Sequence, residues 1–139
     1  MASRYAAFLS YSHSADRQLA AIVQRALQQL GKPWYRRPTV KIFRDESSLS
    51  ANPGLWTSIE RNLDQSDYFL LLASPEAAKS PWVAREVEWW RDHRSADTLL
   101  IAVTDGKIAW DTQSGDFDWQ QTTCLSATIR RSSLTGADR

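Results

Sequence analysis

One carboxylate lies among three tryptophans in the segment SPWVAREVEWW, residues 80–90. Trp82 precedes Glu86 by four residues, and Trp89 and Trp90 follow it by three and four. Positions three and four apart share one face of a helix, so Glu86 is predicted to be partly desolvated among aromatic rings. Such an acid can accept a structural hydrogen bond or take part in chemistry, and the spacing leaves both interpretations open.

A second acid in the same segment is of a different kind. Glu88 falls on another side of the predicted helix, where it can meet Arg85 and Arg91. We interpret Glu88 as an ordinary surface acid, and Glu86 as the candidate for function.

Serine hydroxyls surround a histidine near the start of the chain, where His13 has Ser10, Ser12 and Ser14 as neighbours. A Ser–His pair suggests nucleophilic hydrolysis, but the sequence has no G-x-S-x-G turn to expose the nucleophile. It also has no G-x-G-x-x-G or P-loop segment, so nucleotide binding through a glycine-rich turn is unsupported.

Asp45 and Glu46 are adjacent acids that resemble a metal-binding pair. A receiver domain of two-component signalling has such a pocket, but it requires an aspartate at the end of the third strand, where this chain has Ser74. Its lysine after the fourth strand is matched only by Lys107, three residues late. The receiver interpretation therefore fails at its central residue.

Composition excludes several other functions. A chain of 139 residues corresponds to one domain, and a formal net charge of +1 without a basic face argues against nucleic-acid binding. The sequence has no apolar run long enough for a transmembrane helix. Cys124 is the only cysteine, and His13 and His93 lie far apart, so neither a disulfide nor a metal site is predicted. The cytoplasm is the expected location.

Short apolar runs alternate with helical patterns along the chain. Strands are predicted over 5–12, 40–45, 67–74 and 98–104. The third run is apolar almost throughout, which is typical of a central strand in a parallel sheet.

Three helical patterns separate these strands. The first has one apolar stripe, formed by Leu19, Ile22, Val23, Ala26, Leu27 and Leu30. The second has Leu55, Ile59 and Leu63 at helical spacing. The third begins with Ser80 as N-cap and Pro81 at the first helical position.

The β-α-β-α-β-α-β order predicts an α/β fold, an open parallel sheet with helices on both faces. Ligands of such sheets bind beyond the carboxyl ends of the strands, which here are residues 10–13, 45–50, 74–75 and 104–106. After residue 105 the sequence looks loop-like, and residues 130–139 are expected to form a flexible tail.

Three segments together resemble a bacterial TIR domain, of the Toll/interleukin-1 receptor/resistance family. They are the opening AFLSYSHSAD, the FRDESSL…PG loop after the second strand, and the S-P-W-x-x-x-E helix start. The resemblance implies a flavodoxin-like open parallel sheet of four to five strands. We place the domain at 1–129, where TTCLSATIRR could supply a short edge strand.

Many members of this family cleave NAD at the nicotinamide–ribose bond, and their catalytic glutamate lies in the W-x-x-x-E segment. The resemblance therefore implies an NAD nucleosidase with Glu86 as its catalytic residue, giving a linear or cyclic ADP-ribose product. The implied substrate-binding residues are Ser12, His13, Asp45, Trp56 and Trp82. NAD is the substrate, and no further cofactor is implied.

The same resemblance implies a role in bacterial immune or cell-suicide signalling. Such domains work with other TIR protomers, as homo-oligomers or filaments, and with a sensor domain on a longer chain or on a partner. The alternative is a non-catalytic TIR scaffold that acts only by self-association. The retained glutamate and tryptophan favour the enzyme, whereas the absence of a recognisable last strand favours the scaffold.

Overall fold

A four-stranded parallel sheet lies at the centre of the domain. The computed structural model describes residues 5–30, 41–44 and 54–125. The strands are β1 (Tyr5–Ser10), β2 (Ile42–Arg44), β3 (Ser66–Ala73) and β4 (Leu99–Val103). Their order across the sheet is β2-β1-β3-β4, and every neighbouring pair is parallel. This is the predicted flavodoxin-like arrangement, with the apolar third strand in a central position.

Helices connect these strands, as parallel pairing requires. They are α1 (Arg17–Gln29), α2 (Leu55–Asp64), α3 (Pro75–Lys79) and α4 (Pro81–His93), followed by a 3-10 turn at Ala96–Thr98. The predicted start of α4 is confirmed, because the Ser80 hydroxyl accepts the Val83 amide at 3.2 Å and Pro81 follows it. The sequence patterns missed α3, because a helix of five residues is too short to show a helical period.

Alternation along the strands divides the core between the two faces of the sheet. Phe8, Phe69 and Leu71 belong to one buried cluster, together with Val83, Val87 and Trp90 of α4. The intervening residues Ala7, Leu9 and Leu72 belong to the other, with Ala20 of α1. The face of each strand residue thus decides whether it meets α1 or α4.

The predicted apolar stripe of α1 is only partly correct. The helix itself is confirmed, but Leu19 and Ile22 are exposed, and Leu30 lies beyond its end. The helix instead turns a face containing Gln24 toward β2. The Gln24 amide donates to the Ile42 carbonyl at 2.9 Å, and Gln28 accepts the Ile42 amide at 3.1 Å. These bonds pair backbone groups of the edge strand β2. Leu19 and Ile22 therefore lie on the exposed side of α1, while Val23 and Leu27 still pack against the core.

The strand predictions are confirmed to within two residues at the described ends. The first strand was extended too far, since β1 ends at Ser10 although Tyr11 and Ser12 remain buried. Residues that are buried outside a strand can show the same sequence pattern as residues within one, which explains the extended prediction. The predictions for residues 40 and 45 lie outside the described residues.

The segment after β4 is more ordered than the predicted loop. It contains a short antiparallel hairpin of β5 (Trp110–Asp111) and β6 (Asp116–Phe117). Residues 122–125 do not form the suggested edge strand, and 126–139 lie outside the described residues.

Gly106 allows the chain to pass closely by its neighbours directly after β4. It has φ +86°, and a Cβ there would lie 2.9 Å from Thr123 Oγ1 and 3.1 Å from Pro75 Cδ. The same packing buries Cys124, and this burial raises the pKa of its thiol. None of the helices in the described ranges has the length and apolarity to cross a bilayer.

Candidate functional site

The Glu86 carboxylate is buried and hydrogen-bonded across the core. It is 2% exposed, and the Ser10 hydroxyl, itself 1% exposed, donates to Glu86 Oε1 at 2.8 Å. The bond joins β1 to α4 across 76 positions of sequence. It orients the carboxylate and partly replaces the water that burial removes from it.

Local structure explains why these two side chains meet. Ser10 lies two positions after Phe8, so it projects from the same face of β1, the face that packs against α4. Glu86 occupies the buried side of α4 with Val83, Val87, Trp89 and Trp90. Glu88 is exposed, as the sequence predicted.

Aromatic side chains surround this part of α4. The rings of Trp56 and Trp82 meet edge to face, with centroids 5.6 Å apart, and the Arg85 guanidinium lies 4.0 Å from the Trp56 ring centroid. The Trp82 indole N–H is buried and has no hydrogen-bond partner among the described residues. This indole donor lies one helical turn before Glu86.

A cleft of about 340 Å³ opens at the carboxyl ends of β1 and β3. Its walls come from the loop after β1 and from the junction between α3 and α4. The lining residues are Ser12, His13, Ser14, Glu76, Lys79 and Ser80. This edge of the sheet is where the strand order predicts a ligand.

Hydrogen bonds fix the loop that forms one wall of the cleft. The Ser74 hydroxyl donates to Asp16 Oδ2 at 3.0 Å and accepts the Ala77 amide at 3.0 Å. The bond between Ser74 and Asp16 ties the start of α1 to the end of β3. Ser12 accepts the Ala15 amide at 3.3 Å, so the turn between them is closed.

The structure brings only two of the predicted site residues to the cleft. Ser12 and His13 line the cleft, and the His13 ring lies 4.7 Å from that of Tyr11. Glu86 does not line it, but lies on α4 six positions beyond Ser80. Trp56 and Trp82 pack together on the α2–α4 side, and Asp45 lies outside the described residues.

The family model of the TIR domain matches residues 7–123. The chain belongs to the TIR domain family. It is also 49% identical over 127 residues to a curated Actinoplanes sp. protein named NAD(+) hydrolase ApTIR. The alignment covers 91% of this chain but 18% of that protein, so the chain spans less than a fifth of the relative's length.

Three residues of this TIR domain site were missed by sequence reasoning. Ser10 was noted only as a neighbour of His13, although strand alternation places it opposite α4. Glu76 and Lys79 carried no signal, because the helix that presents them was not predicted. The Ser74-Pro75 pair, a cap residue followed by proline, could have revealed that helix.

Proposed function

We propose that this TIR domain cleaves NAD at the bond between nicotinamide and ribose. The observation that carries the proposal is the buried Glu86 carboxylate, oriented by Ser10 and placed among tryptophans on α4. The identity to a protein named as an NAD(+) hydrolase supports the same activity.

The chemistry suits a single fixed carboxylate. The C–N bond breaks and its electron pair leaves with nicotinamide, which becomes neutral and needs no acid to depart. Positive charge grows on the ribose, and the Glu86 carboxylate stabilises it in a site from which aromatic rings exclude water. Water then bonds to the same carbon and loses a proton, giving ADP-ribose. Attack by an adenine nitrogen gives the cyclic product instead, and a second carboxylate is not required.

Access to Glu86 is part of the proposal. The carboxylate is 2% exposed, so side chains that cover it must move before it can face a ribose. We propose that His13 at the cleft and Trp82 on α4 move when a ligand binds. Contact with a second protomer would supply the same rearrangement, which links cleavage to the self-association that we also propose.

Glu86→Gln is the decisive test. Gln has the same shape and can still accept the Ser10 hydrogen bond, but it has no charge to oppose the ribosyl cation. We expect NAD cleavage to fall on the order of 100-fold or more, as nicotinamide release would show. Glu88→Gln, an exposed acid on the same helix, is the matched control and should cleave like wild type. Equal rates for wild type and Glu86→Gln would rule out the assignment.

The second candidate is a TIR scaffold without catalysis, and two observations favour it. The Ser10 bond and the low exposure of Glu86 suit a structural acid as well as a catalytic one. Concentrated wild-type protein incubated with NAD separates the two, because a scaffold releases no nicotinamide. For either activity we propose bacterial defence signalling in the cytoplasm, triggered when a sensor domain gathers TIR protomers.

A further inference from the structure

The cleft lies where the chain connections diverge from the sheet. β1 and β3 are neighbours, yet β1 leads into α1, which packs on one face, and β3 leads toward α4, which packs on the other. This is the topological switch point of an open parallel sheet, where ligands bind outside the carboxyl ends. The lining residues come from both connections, so one ligand can touch both.

The cleft walls supply hydroxyl groups. Ser12 Oγ and Ser14 Oγ lie 3.1 Å apart, so only one of their two protons is used between them. Ser80 Oγ accepts the Val83 amide, which leaves the hydroxyl proton of Ser80 for a ligand. Several hydroxyl donors around one space suit a group with many acceptor oxygens, such as a phosphate.

Lys79 adds a positive charge at the same place. It ends α3 and is exposed, and its ammonium group makes no ion pair or hydrogen bond with any residue in the described ranges. Glu76 lines the cleft from the same helix, so an anionic group would be held on the Lys79 side and ribose hydroxyls on the other.

We propose that Lys79, with the Ser80 hydroxyl, binds the diphosphate of the dinucleotide. This inference rests on the proposed function and assigns one part of the substrate to one wall of the cleft. Ser80 and Glu86 are separated by six positions of sequence along α4, which is about 9 Å at the helical rise. In NAD the diphosphate follows the nicotinamide ribose by a single methylene, so a diphosphate bound at Lys79 matches the length of the dinucleotide when its ribose is at Glu86.

Lys79→Gln tests the assignment. Loss of a charged donor should raise KM for NAD about tenfold, while kcat stays within about twofold because Lys79 does not touch the reacting carbon. Lys79→Arg keeps the cation and should restore KM to within about threefold. Lys41→Gln is the matched control. Lys41 is an exposed lysine that precedes β2, so it lies at the amino ends of the strands, away from the cleft at their carboxyl ends. It should behave as wild type.

Binding of ADP-ribose gives a readout that does not depend on cleavage. Ligand-observed NMR should show saturable binding to wild type and Lys41→Gln, and about tenfold weaker binding to Lys79→Gln. Unchanged KM and unchanged ADP-ribose binding in Lys79→Gln would overturn the diphosphate assignment while leaving NAD cleavage intact. Lys79-dependent binding by a wild-type protein that releases no nicotinamide would instead overturn the proposed function alone. No saturable binding to wild type would also overturn the assignment.

Discussion

Burying a carboxylate costs free energy unless hydrogen-bond donors replace the water around it, and this domain provides such a donor for Glu86. Ser10 contributes a hydroxyl from the neighbouring strand at 2.8 Å. The bond accepted by an ionised group is stronger than a neutral one, and it also restricts the rotamer of the glutamate. A site that depends on the direction of one carboxylate therefore depends on the serine that directs it.

We predict that Ser10→Ala lowers kcat for NAD about tenfold or more, with KM within about twofold. The substitution leaves Glu86 in place but removes a charge-assisted hydrogen bond worth about 2 kcal/mol. Steady-state nicotinamide release measures both constants, and urea unfolding measures the loss of stability.

Ser66→Ala is the matched control for this prediction. Ser66 is a fully buried serine of β3 whose hydroxyl donates to the Asn62 carbonyl at 2.7 Å. Ser66 begins β3, so it lies at the amino ends of the strands, whereas the cleft lies at their carboxyl ends. Its loss should lower the unfolding free energy but leave kcat unchanged. If the two variants lose kcat equally, Ser10 has only a structural role.

At the scale of elements, contact between α2 and α4 holds the aromatic side of the site. Trp56 lies in the first turn of α2, where it meets Trp82, and Arg85 covers its ring. The family resemblance implied that Trp56 binds the substrate. The structure adds an intrachain contact that accounts for part of its apolar surface.

We predict that Trp56→Ala lowers the free energy of unfolding by about 2 kcal/mol. The indole is half-buried, so its loss should cost less than a fully buried aromatic, and the cation–π contact with Arg85 is lost as well. Urea denaturation measures the change. Trp110→Ala is the control, because Trp110 is 57% exposed on the hairpin and its loss should cost about 0.5 kcal/mol, as is usual for surface substitutions. Equal losses in both variants would argue against a packing role for Trp56.

At the scale of the whole molecule, the low exposure of Glu86 favours activity that depends on assembly. A protomer contact that uncovers the carboxylate would be weak in dilute solution and frequent in concentrated solution.

We predict that the specific activity rises with protein concentration across a range of about a hundredfold. Addition of Glu86→Gln protein to dilute wild type should also raise the rate per wild-type protomer, because the inactive protomer still offers its surface. Serum albumin at equal mass is the control. A flat profile, with no effect of the Glu86→Gln protein, would contradict assembly-dependent activity.

Much of this domain could be predicted because the relevant signals are local. Alternating apolar runs and helical periods predicted the parallel sheet, its central strand and the start of α4, since these patterns depend on which side of a strand or helix each residue occupies. The same reasoning placed Glu86 on a buried face beside Val87 and Trp90. The W-x-x-x-E segment then identified it as the candidate catalytic residue.

The rest required the tertiary structure, because it depends on which elements meet. Periodicity shows that Ser10 and Glu86 each face inward, but the pairing of β1 with α4 is a contact between residues 76 positions apart. The stripe of α1 was only partly correct for the same reason, since packing against β2, which includes hydrogen bonds of Gln24 and Gln28, determines which of its residues face the sheet. Lys79 could not be assigned to the cleft from the sequence, because the cleft forms only where α3 and the loop after β1 come together. Local sequence specifies the faces of the elements, and the folded chain specifies which faces come together.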